Sequence, residues 1–504
     1  MRAVILCMAL IAVAGRASAD TVAANPGNYE SLIASLRPGD TLALAAGTYD
    51  ELLLRDVQGM PSSWITVTGP ASGSPAIIRA VSSNNNTVQL YNCRYLALKN
   101  LTVDVRGLYV DALNAKDSIS HDILIENCVL QGFPSDDQQI VGISTKATVW
   151  NWTIRHNKIL QAGTGLYLGN SDGSCPFIAG IIEGNVVENP LGYCMEIKVQ
   201  NSYSLVPGMP SGPNRTIVRQ NVFLKDARPS PDGDRPNLLV GGFPEAGPGS
   251  SDLYEIYGNF FYSNPRESLF QGTGRMTIHD NLFVGAGVGQ AAVLLTNHDG
   301  RTVKLAHLYS NTVYGGSEGI RFAGAASQED AVVGNLVFAA MPISGAISDL
   351  RDNLVDSVAN AAQYVKAPSL TLGTMDFYPL PGKGQGASMA FAKFIAAVDY
   401  AVAFNGEGKG TFAFRGAYAG EGSNPGWRPT NDFITTSAPP GGGGGAPPPG
   451  PNPRPSPVPT TSEAGSGGHS RCGSGSVASS EATWGNIAGA WIVMGLIIGL
   501  LKRS

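Results

Sequence analysis

Between Leu96 and Leu354 the chain repeats one short phrase: alternating apolar residues, one or two polar ones, an asparagine, then apolar alternation again. It reads LALKNLTV, ILIENCVL, TIRHNKIL, IIEGNVV, TIVRQNVF, EIYGNFFY, TIHDNLFV, HLYSNTVY, VVGNLVF and LRDNLV. The asparagines are Asn100, Asn127, Asn157, Asn185, Asn221, Asn259, Asn281, Asn311, Asn335 and Asn353, by subtraction 18 to 38 residues apart. Period-two alternation of Ile, Val, Leu, Phe and Tyr marks strands. Its recurrence at this interval marks a solenoid, in which each repeat closes its apolar face against its neighbours. Asn tolerates the left-handed backbone region and its amide bonds nearby backbone. All ten are therefore expected at equivalent bends of a solenoid spanning residues 64–355, their amides bonding along the axis.

Ahead of the repeats, Leu32, Ile33 and Leu36 share one face of a short helix that Pro38-Gly39-Asp40 stops. Strands are expected at 41–44 and 49–54, and WITVTG and AIIRA read as the first turns of the solenoid. Met1-Arg2, an apolar run over 3–14 and Ala17-Ser18-Ala19 describe a secretory signal peptide cleaved after Ala19. Past Asn353 the pattern fades. Beyond Ala438 Gly, Pro and Ser dominate to about Ser480, a tether without a packed core. Residues 484–501 are mostly apolar, long enough to span a bilayer, and Lys502-Arg503 behind them are expected on the cytoplasmic side. The layout is a signal peptide (1–19), a cap with first strands (20–60), a solenoid (61–360), a C-terminal cap region (361–430), a disordered linker (431–482) and a transmembrane or sorting segment (484–504).

The Asn-marked coils resemble those of the right-handed parallel β-helix proteins of the pectin-lyase-like class, over residues 25–425. The resemblance implies an all-β, right-handed parallel β-helix with an N-terminal helical cap, a disordered Gly/Pro linker and a C-terminal apolar helix. The segment LRPGDTLALAAGTY resembles the amphipathic cap of such proteins, and DFYPLPG, FNG and RGAY resemble their usual ending, with Ala419 where Glu is usual. Linker, apolar segment and basic tail together resemble the tripartite sorting signals of bacterial surface proteins. The fold does not fix the activity, because it carries lyases, hydrolases, epimerases, adhesins and inert spikes alike.

Sixty-three Gly and thirty-three Pro suit a turn-rich solenoid, and a net charge of −5 gives no electrostatic case for nucleic acid. Export permits disulfides. Cys175 and Cys194 lie 19 residues apart, near the length of one coil, and are the candidate pair; Cys93 and Cys128 are expected buried and free. Cys472 lies in the tether ahead of the apolar segment.

In the enzymes that the chain resembles, polysaccharide lies on the strand preceding each Asn phrase. These strands read as 142–146, 165–169, 194–199, 237–241, 268–272, 292–296 and 319–323. Alternation turns outward Ser144, Lys146, Tyr167, Glu196, Lys198, Leu239, Phe270, Leu294 and Arg321. Lys146, Tyr167, Glu196 and Lys198 then converge on three neighbouring coils, and Leu239, Phe270 and Leu294 form an apolar platform for sugars. Two long insertions, 201–215 and 225–252, are expected to leave from one side and wall a groove.

β-Elimination of a polyuronate needs a neutralised carboxylate, a base for the C5 proton and an acid for the leaving oxygen. Lys198 or Lys146 serves as base if burial lowers its pKa, Tyr167 as acid, and Glu196 either binds Ca²⁺ or positions Lys198. The Glu196-Ile197-Lys198 segment resembles the strand of calcium-dependent β-helix lyases that supplies an acidic ligand and a lysine base. Their arginine on the following strand is missing; only Arg235 precedes that strand here. Asp232 and Asp234 are further calcium candidates, or a polar turn. His298, in TNHDG, is a reserve acid or base, and Arg321 a sugar contact. Hydrolysis lacks a neighbouring Asp pair on these strands. Two function classes stay open: an exported lyase or related enzyme on uronic-acid polysaccharide, held at the membrane by its C-terminal segment, and a non-catalytic adhesin or surface spike.

Overall fold

The computed structural model describes residues 19–435. Residues 1–18 of the expected signal peptide, the bulk of the linker with Cys472, and the apolar segment 484–501 lie outside the described residues. Among the described residues no helix is long and apolar enough to cross a membrane.

Each coil gives one strand to each of three sheets, of 15, 11 and 12 strands, and neighbouring strands in all three are parallel. One coil runs Arg94–Lys99 in the first sheet, Leu101–Asp104 in the second and Leu113–Lys116 in the third; Ser120–Glu126 then pairs with Arg94–Lys99. Parallel partners need a long connection, and here the rest of the coil supplies it. The chain is thus a three-sheet parallel β-helix. Side chains facing its axis form one continuous core from Ala24 to Val337. The cap is already part of the stack, because Thr21–Ala24 pairs with Thr41–Leu44 and that strand with Ile65–Thr68. The cap helix is one short piece, Tyr29–Ile33. The strand expected at 49–54 divides at Asp50-Glu51 into Gly47–Tyr49 of the second sheet and Leu52–Arg55 of the third.

Eight of the ten asparagines form the ladder. Each of Asn157, Asn185, Asn221, Asn259, Asn281, Asn311 and Asn335 donates its backbone N–H and its amide to Oδ1 of the next, ending on Asn353, at 2.9–3.1 Å. The left-handed residue of each bend is the one before the asparagine, such as His156, Gln220 and Asp280. Asn100 and Asn127 depart from the expectation of equivalence. They themselves take the left-handed place, at φ 55°, so Leu101 and Cys128 stand where the ladder would run, and the Cys128 N–H donates to Asn157 Oδ1.

Two further expectations are corrected. Cys175 is disulfide-bonded, but not to Cys194, which is a free thiol facing the core. One coil of sequence separation does not bring two side chains together when one lies inside the wall and the other in a loop outside it. Phe270 is not part of an outward platform either. It pairs in register with Leu238 and Val293 and is fully buried, while Gln271 stands beside Leu239 and Leu294. The strand runs Phe270–Gly272, and a one-residue slip exchanges the two faces.

After the last coil the chain folds back along the outside. Ala361, Val365, Phe377 and Tyr418 cover the outer face of the second sheet. Met389, Phe391 and Phe394 cover Tyr309 and Val333 on the first. Lys409 Nζ reaches Asp280 at 2.6 Å, and Asp280 holds His279 Nδ1 at 2.7 Å. Residues 431–435 still lie against the coils, with Asp432 paired to Lys158. The third sheet is the face on which outward side chains, Tyr167, Gln271 and Leu294 among them, remain partly exposed.

Candidate active site

Along the third sheet one outward column runs in register through Gln89, Asn114, Ser144, Tyr167, Glu196, Leu239, Gln271, Leu294 and Arg321. The rungs are about 4.8 Å apart. Beside it stand Lys116 and Lys146, adjacent rungs of the next outward column, and Lys198 just past its strand end.

The insertions wall this face from both edges, not from one side. Residues 225–237, arriving from the second sheet, line one edge together with 132–140, and Gln139 Nε2 donates to Asp232 at 2.9 Å. Residues 198–214, 241–252 and 296–302, leaving for the first sheet, line the other. Part of 201–215 turns away from the groove: Val206 and Met209 pack on Trp150 and Ile178 of the first sheet.

At the centre Lys198 Nζ lies 2.8 Å from Glu196 Oε1, the carboxylate buried and the ammonium nearly so. Gly169, at φ 99° on the preceding rung, makes room; a Cβ there would come within 3.2 Å of Lys198 Cβ. The Tyr167 ring lies 5.5 Å from the ammonium groups of both Lys198 and Lys146. Burial opposes charge on Lys198, but Glu196, aided by Tyr167 and Asp299, outweighs it and holds the ammonium above lysine's ordinary range. Burial likewise pushes the Glu196 carboxyl upward against Lys198, Arg235 and His298. For this pair the proton stays on Lys198. The expected lowering of the Lys198 pKa is therefore reversed in the closed pair.

Sequence reasoning missed three members of the cluster. His298-Asp299-Gly300-Arg301 closes a two-residue hairpin, with Asp299 and Gly300 at φ 47° and 70°, the conformation that Asp-Gly favours. Arg301 carries that turn back over the groove. It donates to the carbonyls of Gln200 and Phe243 and to Asn201 Oδ1, at 3.3, 3.1 and 2.9 Å. Gly242 permits the approach, since a Cβ there would sit 2.4 Å from Arg301 Cβ. His298 and Asp299 thereby act on the charges of Glu196 and Lys198. His298 Nδ1 lies 3.1 Å from Asp299 Oδ2, off the line of a hydrogen bond, and holds Asp299 below the usual carboxylate range. Arg235, the third, donates to Asp232 O and lies over the Tyr193 ring. The DG turn was the legible signal; Arg235 was placed only as preceding its strand, and nothing in the pattern placed Arg301.

Of the other candidates, Leu239 is buried, Leu294 half-buried, and Arg321 is exposed and paired with Glu318 at 2.9 Å. Glu196 is engaged by Lys198, Asp232 by Gln139, and Asp234 by Arg266 at 3.4 Å. Among the described residues no group of three His, Cys, Asp or Glu side chains gathers as a metal ion needs. The residues present do not fit a calcium centre, and no step below runs through one. A cleft of about 240 Å³ lies elsewhere, between His121, Trp150 and Pro207 on the first sheet.

No family model and no curated protein matches the chain. Among solved structures, it is similar to the A-module of a mannuronan C-5 epimerase of Azotobacter vinelandii over 65% of this chain and 94% of that one, at 15% identity and TM-score 0.43. An alginate lyase from Paenibacillus sp. str. FPU-7 is similar over 67% and 99%, at 13% identity and TM-score 0.38. A GH136 lacto-N-biosidase from Eubacterium ramulus is similar over 67% of this chain and 68% of that one, at 10% identity and TM-score 0.36. At these levels the likenesses carry no activity across, and the function has to be argued from the site itself.

Proposed function

We propose that the chain is an exported β-helix protein that binds acidic polysaccharide along its third sheet and acts on it by β-elimination. The observation that carries this reading is the convergence of Lys116, Lys146, Lys198, Arg235, His298 and Arg301 about one partly exposed strip of an otherwise acidic molecule. Against them stand Glu196 and Asp299, so the strip attracts carboxylates. Lys116 and Lys146 have no ion-pair partner among the described residues and are placed to neutralise a uronate C6 carboxylate. Lys198 begins the reaction protonated and is a donor. His298, half-exposed at the groove edge and steered by Asp299, takes the C5 proton. The C5–H electrons form the C4=C5 bond, the C4–O bond breaks, and the leaving oxygen takes a proton from Lys198.

The second reading, a glycan-binding surface spike, is favoured by the same closed pair, since a lysine locked to Glu196 suits binding without turnover. The two separate on incubation with uronic-acid polysaccharides. Rising ultraviolet absorbance from unsaturated uronate, lost in His298→Ala and Lys198→Ala, supports the lyase; binding with no absorbance change supports the spike.

A further inference from the structure

We infer that Lys409 and Asp280 condense into a side-chain amide, a covalent staple between the returning C-terminal chain and the solenoid wall. The two are 129 residues apart and meet at 2.6 Å, with the side chain of Lys409 6% and that of Asp280 2% exposed. Asp280 is the left-handed residue of its bend, and the same place on the coils before and after holds Gly258 and Ser310. Those small neighbours let the returning chain come close. The backbone of Lys409 is pinned as well: its N–H donates to Ala401 O at 2.8 Å, and its carbonyl accepts from the Phe412 N–H at 2.9 Å. The rings of Tyr309 and Phe391 stand 5.1 and 5.7 Å from Nζ.

The hydrogen-bond partners at hand are those of an amide, not of two ions. An ammonium carries three N–H donors, and a carboxylate accepts at both oxygens. Among the described residues Nζ has two acceptors, Asp280 Oδ2 and, at 2.9 Å, Tyr400 O, while Asp280 Oδ1 is buried with no partner. As ions the pair leaves one N–H and one charged oxygen unpaired away from water, which is costly. An amide has one N–H, which donates to Tyr400 O, and one oxygen, which accepts from His279 Nδ1, 2.7 Å from Oδ2. Burial also holds the Lys409 ammonium below its ordinary range against the pull of Asp280, which brings the neutral amine and acid within reach. The Nζ lone pair then attacks Cγ, the Nζ–Cγ bond forms, the Cγ–Oδ1 bond breaks, and Oδ1 leaves as water with two protons from Nζ. His279, kept neutral by burial, donates to the charge that builds on Oδ2. A cavity of about 10 Å³ lined by Lys409 and Ser310 has room for about one water.

The test is mass spectrometry of the purified full-length protein, first shown to melt cooperatively, then reduced, unfolded and digested with trypsin. The expected result is one branched peptide joining 276–301 to 394–415, uncut after Lys409 and lighter than its two parts by one water molecule. Recovery of the two stretches only as separate peptides, with cleavage after Lys409, overturns the inference and leaves an ordinary buried ion pair. Lys409→Arg keeps the cation without a nucleophilic amine, and Asp280→Ala removes the carboxyl group; each is expected to lose the branch. A branch that persists in either variant places the bond elsewhere and overturns the assignment. The glycan reading stands or falls separately, because both residues lie on the first sheet's side of the solenoid, away from the third.

Discussion

Glu196 and Lys198 sit two residues apart on one outward face, and their side chains close on each other at 2.8 Å, the carboxylate buried and the ammonium only a tenth exposed. A buried pair broken on one side leaves an uncompensated charge, which costs about 3 kcal/mol or more. Glu196→Gln is therefore expected to lower the denaturant midpoint more than Glu196→Gln combined with Lys198→Met. Because the folded pKa of Lys198 is raised, its contribution is present in full below the unfolded value near 10.4 and fades as pH rises through the folded pKa. Equal losses in the single and double variants at neutral pH would argue against a coupled pair.

The ladder makes a second prediction. Asn259 donates its amide to Val218 O, Tyr257 O and Asn281 Oδ1, and its own Oδ1 accepts from Asn221. Asn259→Leu leaves these partners unpaired, costing about 1–3 kcal/mol. Asn84→Ala, at an exposed turn, is expected within about 0.5 kcal/mol of the parent. Thermal unfolding of the two variants side by side checks the difference.

His279 makes the fold acid-sensitive. It is fully buried between the rings of Tyr257 and Tyr309, each 4.7 Å away, and burial, seconded by Lys409, depresses its pKa despite the bond to Asp280. The unfolded chain takes up this proton near pH 6.5 while the folded chain does not. Stability is therefore in place above that pH and falls as pH drops, by about 1.4 kcal/mol per unit at most. His279→Phe keeps the stack and removes the titration, so its stability is expected to change less than the parent's between pH 7 and 5. Parallel pH profiles would remove His279 from the account.

Cysteine chemistry gives a fourth. Burial pushes the thiols of Cys93 to about 11, and of Cys128 and Cys194 to about 12. All three are expected to resist alkylation in the native protein and to react on unfolding. Cys194→Ser is expected to retain the disulfide of Cys175; non-reducing peptide mapping that shows its loss would restore the pairing of those two.

The fold was legible because its signal is repeated: eight bends obey one rule, and the two that slip, at Asn100 and Asn127, do so because asparagine is at home in both the left-handed place and the one after it. Side-chain facing was legible where β-branched and polar residues alternate, as at Tyr167 and Glu196. It failed at Leu269-Phe270, where two adjacent apolar residues fit either face. The charged strip was readable on the strands. The contributions of Arg235, Asp299 and Arg301 were not, because loops that fold back across several coils bring together residues about 100 apart, as Arg301 and Gln200 show. The Lys409 to Asp280 contact spans still more, 129 residues.

The asparagine ladder has a polarity. Every amide from Asn157 to Asn335 gives one hydrogen bond to the asparagine of the later coil and another to a main-chain carbonyl of the earlier one, while its Oδ1 accepts from the earlier coil. Across eight asparagines, over roughly 34 Å at the strand spacing, the Oδ1 acceptors of the ladder all face the coil before them. The ladder thus has two unlike ends: at one, Asn157 Oδ1 closes on the Cys128 N–H, a main-chain donor in place of an asparagine; at the other, the Asn353 amide turns back to Val332 O.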